Sequence, residues 1–195
     1  MPIPGYWETM ATSRAAGPSL ASFTTAVSML NSKDRHTINA DDWYDGKMLV
    51  VEACGQISNV VTAQPTFTFE FRLGPTSTIV AFTTGAVLTS TTAHTTVPWW
   101  LRFLLTCRTE GSGTAGTMIG QGFVASRAFL DAGATADITT LGHPGLLVPE
   151  TTPAVGTGFD TNIGNIADLF VACSVSNAAN AIQLHQYMLS DPGGG

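Results

Sequence analysis

The chain has 195 residues, of which 44% are hydrophobic and only 11% charged, against roughly 25% charged in an ordinary globular domain. That length suits one domain with a proper core rather than two cramped ones. A formal charge of −6, a pI near 4.9 and eight scattered basic residues argue against a nucleic-acid partner, which demands clustered Lys and Arg.

Residues 1–21 read as an extended N-terminal arm. Pro2, Pro4, Gly5, Gly17 and Pro18 interrupt any regular element, yet the segment carries Ile3, Tyr6, Trp7 and Met10. Apolar anchors on a proline-stiffened arm suit docking on a neighbouring subunit, and they suit equally a segment folded back on its own domain. We therefore take Pro2, Ile3, Pro4, Tyr6, Trp7 and Met10, together with the outward-facing Trp100, as candidate assembly-interface residues.

From about residue 22 the apolar period is two. Phe23, Thr25, Val27 and Met29 share one face of a first expected strand, and Asp45-Gly46 marks a turn. Lys47 to Ile57 reads as a long strand with Leu49, Val51, Ala53 and Ile57 inward. Phe67, Phe69, Phe71 and Leu73 alternate with Thr68, Glu70 and Arg72, the clearest strand pattern in the chain. Short strands are expected at 78–82 and 86–90. Val97 to Thr109 places Trp99, Leu101, Phe103, Leu105 and Cys107 on one face, and the loop EGSGTAG turns it into a partner strand at about 118–129. Residues 130–167 read as a long irregular connection, of the kind that is functional or packed against something. Leu169 to Val175, the turn SNAAN and Ile182 to Leu189 then suggest a second hairpin, and residues 191–195 a loose tail. The expected fold is all-β: an antiparallel β-sandwich, jelly-roll-like, of about eight to ten strands over residues 22–190.

No segment reaches the roughly 18 uninterrupted apolar residues of a membrane helix. MPIPGYWETM lacks the basic head and apolar stretch of a secretory signal, so no export and no membrane partner are expected. Signals of chemistry are few. His36, His94, His143 and His185 lack metal-ligand spacing, and Cys54, Cys107 and Cys173 form no close pair and read as reduced core thiols. Asp41, Asp42 and Asp45 resemble a cation loop, but Trp43 occupies a ligand position and no bidentate Glu follows. EGSGTAGTMIGQG has neither the Lys-Ser/Thr of a P-loop nor a hydrolase elbow. Of Trp99 and Trp100 only one can face outward, where it could stack on a sugar; packing is the usual role of such a residue. No catalytic residue, cofactor or metal is expected.

The stretches TSTTAHTTVPWWLRFLLTCRTEGSGTAG and PAVGTGFDTNIGNIADLFVACSVSNAANAIQLHQYML resemble segments of small virion proteins of tailed bacteriophages. The resemblance spans roughly residues 20–190. It implies a non-enzymatic β-sandwich subunit carried on the particle and assembled in the host cytoplasm. Compactness, low charge and apolar ends point to a capsid decoration (cement) protein on the outer surface of the head. Its expected partners are copies of itself, as a trimer or else a dimer, and the major capsid protein. The alternative is a tail, fibre or adsorption module that binds a host-surface glycan or protein.

Overall fold

The structure is a computed structural model that describes residues 7–62, 64–129 and 145–193. It contains β1 (Glu8–Thr12), β2 (Leu20–Ala21), β3 (Val27–Ser28), β4 (His36–Ile38), β5 (Met48–Asn59), β6 (Thr66–Leu73), β7 (Ile79–Thr83), β8 (Val87–Leu88), β9 (His94–Thr109), β10 (Thr117–Ser126), β11 (Leu146–Val148), β12 (Asn165–Cys173) and β13 (Ala181–Asp191). The only helical pieces among the described residues are single 3-10 turns at Ser32–Asp34 and Ala40–Asp42. One sheet runs β1-β13-β5-β9-β10-β11, with β2 also on β13. The other runs β3-β12-β6-β7, with β4 on β12 and β8 on β6. Every pairing is antiparallel, so the protein is an all-β sandwich of two antiparallel sheets.

The alternation read from the sequence decides what lies between the sheets. Phe67, Phe69, Phe71 and Leu73 of β6 are fully buried, as are Leu101, Phe103, Leu105 and Cys107 of β9. Aromatic rings close the gap. Phe69 lies 5.5 Å from Trp99 and 6.2 Å from Phe129, and Phe82 lies 4.9 Å from Phe103. Gly120 of β10 faces inward, where a Cβ would stand 2.4 Å from the Phe82 ring; the missing side chain lets β7 lie close over β10. The Trp99 indole N–H, which a buried position obliges to find a partner, donates to the carbonyls of Gln56 (3.2 Å) and Gln183 (3.3 Å).

Four expectations are corrected. Residues 8–21 are not an arm. β1 pairs with β13, the Gly17 N–H donates to the Leu184 carbonyl at 2.9 Å, and β2 pairs with β13 further along. The glycine and proline breaks only separate two short edge pairings, and Met10 packs against the core. Second, the expected strand through Phe23, Thr25, Val27 and Met29 shrinks to Val27–Ser28, because Phe23 is half-buried and its neighbours have no partner strand. Third, β12 and β13 do not form a hairpin. β12 pairs with β6 and β13 with β5, so the turn after β12 carries the chain from one sheet to the other. The inward rows Leu169, Val171, Cys173 and Ile182, Leu184, Leu189 therefore cover opposite faces of one core. The crossing is pinned where the Val60 N–H donates to Asn180 Oδ1 (3.0 Å) and the Ala179 N–H to Asn177 Oδ1 (2.9 Å). Fourth, the last strand reaches Asp191, which is buried rather than part of a loose tail.

The described part of the long connection is packed. Gly156 bonds to the Met118 carbonyl and Thr157 to that of Val80, while the Phe159 ring plugs the core 5.0 Å from Trp43. Residues 130–144 of that connection lie outside the described residues.

Candidate assembly surface and the Trp100 groove

Two surfaces of the larger sheet carry side chains that the core does not use. The first is its outer face. Because Trp99 and Leu101 point inward, Trp100 and Arg102 must point out. Register then builds two rows across the strands. Trp100 stands opposite Cys54 of β5, which stands opposite Gln186 of β13; one step along, Arg102 faces Glu52, which faces Met188. Trp100 remains 41% exposed, held by a near edge-to-face contact with Phe123 of β10 at 4.7 Å. The Glu52 carboxylate is paired with Arg102 Nε at 3.2 Å, and Cys54 Sγ lies 3.5 Å from Gln186 Oε1. Trp100, Glu52, Cys54 and Gln186 line, with Thr12 of β1, a groove of about 390 Å³.

The second surface is the end of the sheet where the chain enters and leaves. Trp7 is 53% exposed, directly before Glu8, which pairs with Asp191. Tyr44 and Met48, ahead of and at the start of β5, are exposed as well. Beneath Tyr44 lies a buried ion pair, Lys47 Nζ to Asp191 Oδ2 at 2.5 Å, with the ammonium 5.4 Å from the centre of the Tyr44 ring. The Tyr44 hydroxyl reaches the Gly193 carbonyl at 3.4 Å, and the Gly193 N–H donates to Asp191 Oδ1 at 2.8 Å. An adjoining cleft of about 490 Å³ has Glu8, Asp41 and Asp42 on its walls. Asp42 also closes the turn at Ala40–Asp42 by accepting the Asn39 N–H at 3.1 Å.

The candidate interface residues thus separate. Trp7 lies on the end surface, Trp100 in the groove on another strand, and Met10 against the core. Pro2, Ile3, Pro4 and Tyr6 lie outside the described residues. Tyr44, Met48, Glu52 and Gln186 were not singled out from sequence, and Cys54 only as a core thiol. Strand parity gives the outward direction of the last three, but not which strands are neighbours. Cys107 and Cys173 are buried thiols pushed up by that burial, Cys107 to about 11, whereas Cys54 is half-exposed on the sheet's outer face rather than in the core. Among the described residues no group of three or more His, Cys, Asp or Glu is placed to hold a metal.

Charges buried elsewhere hold the chain ahead of β5 to the sandwich. Asp34 accepts from the backbone N–H and Nε of Arg14, both at 3.2 Å; burial pushes its carboxyl up, but these bonds and the Asn31 amide outweigh it and hold it below the usual range. Asp168 of β12 accepts from Ser28 Oγ (2.8 Å) through Oδ1, and its Oδ2 forms an ion pair with Arg35 Nε (2.8 Å). Burial dominates here and pushes its carboxyl up to about 6, against the pull of the Ser28 hydroxyl and Arg35. The sign follows from linkage: between about pH 4 and 6 the folded chain keeps a proton that the unfolded chain has released, so this group makes stability fall as pH rises through that window. Full expression of the shift is worth on the order of 3 kcal/mol. Asp168→Asn is expected to remove that downward component, measured as midpoints of urea unfolding at pH 4 and pH 7. An unchanged difference between the two pH values in the variant would count against it.

Comparison of the chain with protein-family models, with curated proteins and with solved structures finds no match.

Proposed function

We propose that the protein is a non-enzymatic virion structural subunit of a tailed bacteriophage, serving as a capsid decoration protein on the outside of the head. The observation that carries this reading is the end surface, where Tyr44 stands exposed over a buried ion pair and Trp7 and Met48, just before β1 and at the start of β5, are exposed as well. Apolar aromatic anchors on a fixed base are what an assembly contact uses, because they bury much area at little cost in side-chain ordering. Strand order supports a jelly-roll reading. β1, β13, β5 and β9 adjoin in one sheet and β3/β4, β12, β6 and β7 in the other, so the chain alternates between sheets as two interleaved Greek keys require. That architecture recurs in viral shells, which supports the reading by analogy of fold alone.

The mechanism is thermodynamic. The subunit, as a homotrimer or dimer, binds the assembled lattice of the major capsid protein and not its dissociated form, so each contact stabilises the shell by mass action. Apolar burial supplies roughly 25 cal/mol per Å² before the costs of association. Quantitative mass spectrometry of purified virions is expected to find this chain in fixed proportion to the major capsid protein; a handful of copies per particle would instead assign it to the tail. Removing residues 1–21 is too blunt a test of the contact, since it deletes β1 and β2. Trp7→Asp is expected to weaken binding to undecorated capsids by roughly tenfold or more at an unchanged unfolding temperature. Undiminished binding would remove Trp7 from the contact.

A further inference from the structure

We infer that the groove beside Trp100 is a binding site for a neutral oligosaccharide, so that this face of the subunit recognises a glycan while the Trp7 end holds the particle. The inference goes beyond the structural role and takes Trp100 out of the assembly surface.

The groove has the mixed chemistry that a sugar ring presents. A pyranose offers a flat patch of C–H groups on one face and hydroxyls around its rim. Trp100 offers an indole whose face attracts the weakly positive C–H groups, and its packing on Phe123 at 4.7 Å limits the freedom lost on binding. Around it stand groups that can bond a ring of hydroxyls in both directions. The Glu52 carboxylate on the groove wall accepts, and its ion pair with Arg102 holds it in place. Gln186, whose Oε1 accepts from the Cys54 thiol at 3.5 Å, lines the groove with an amide capable of donating. The Thr12 hydroxyl does both. These groups sit on four strands of one sheet, β1, β13, β5 and β9, whose backbone register fixes their spacing before any ligand arrives. A few convergent polar groups beside an aromatic platform on rigid elements are the usual make-up of a small-ligand site.

Other occupants fit less well. A phosphate-bearing ligand would meet the Glu52 carboxylate on a protein of net charge −6. An acyl chain would leave the Glu52–Arg102 pair desolvated without new partners. A second copy packed face to face would bury the same pair, along with the Gln186 amide.

Saturation-transfer NMR with cellohexaose, maltohexaose and chitohexaose at millimolar concentration tests the site on the full chain. Transfer to at least one of them is expected, with a shift of the Trp100 indole N–H resonance. Trp100→Ala should weaken that binding by roughly tenfold or more, and Glu52→Gln should weaken it less, since the amide still accepts one bond. Trp7→Ala should leave it unchanged. Trp100 is exposed, so the variant is expected to unfold at nearly the wild-type temperature, which keeps loss of binding separate from loss of fold. Absence of transfer to all three sugars overturns the assignment, as does transfer that survives Trp100→Ala. Dissociation of an oligomer by Trp100→Ala would also overturn it, because the face would then be buried between copies.

Discussion

Phe69→Asp is expected to abolish the folded state, seen as loss of the cooperative thermal transition in circular dichroism. The Phe69 ring has no exposed surface and sits at the centre of the aromatic cluster that joins the sheets, 5.5 Å from Trp99 and 6.2 Å from Phe129. Truncation alone, as in Phe69→Ala, leaves a cavity and costs about 3–5 kcal/mol. The aspartate adds a carboxylate to a cluster of apolar side chains, which either stays charged at several kcal/mol or takes up a proton at a similar cost. A domain stable by about 5–15 kcal/mol does not survive the sum. The neighbouring residue provides the contrast. Thr68 points to the other face of β6 and is half-buried there, so Thr68→Asp is expected to cost ~1 kcal/mol or less. A folded Phe69→Asp, or an equal effect at both positions, would mean that β6 is registered one residue out.

The contrast between these two neighbours also shows why so much of the fold was legible. Wherever a strand is long and one face is buried, the period of two fixes which side chains go inward, and a slip of one residue would turn Phe67, Phe69, Phe71 and Leu73 into water. Strands β5, β6, β9 and β10 were readable for that reason, and so was the split of Trp99 from Trp100. Pairing partners were not readable in the same way. The segments on either side of SNAAN have the same alternation whether they pair with each other or cross between sheets. Only the long-range partners decide, and β12 lies on β6 while β13 lies on β5. The N-terminal edge hid for a different reason: β1 carries Glu8, Thr9 and Thr12 in the open and buries little, so its pairing with β13 leaves scarcely a hydrophobic trace. The groove shared both difficulties. Glu52, Trp100 and Gln186 are ordinary outward residues of three strands, and they become a group only once β13, β5 and β9 are neighbours.

The buried pair beneath the end surface gives the second large effect. Asp191→Ala is expected to destabilise the protein by about 3–5 kcal/mol, because it leaves the Lys47 ammonium enclosed without its counter-ion. Both side chains are about nineteen-twentieths out of water, at 5% and 6% exposure, so solvent screening offers little relief. The Tyr44 ring, 5.4 Å from the ammonium, returns only part of the loss. The effect also spreads, since Asp191 accepts the Gly193 N–H that keeps the Gly193 carbonyl against the Tyr44 hydroxyl. Lys47→Met combined with Asp191→Leu should recover most of the stability, because an apolar pair of similar volume has no desolvation to offset. The single variants are thus expected to be strongly non-additive in a double-mutant cycle measured by urea unfolding. The comparison separates two roles of this pair. If the double variant is as stable as wild type yet binds undecorated capsids weakly, the charges and the Gly193 bond are what position Tyr44 and Trp7 for docking. If the double variant is as unstable as Asp191→Ala, the pair is held by more than its mutual attraction, and the picture of a rigid base that any well-packed pair could supply fails.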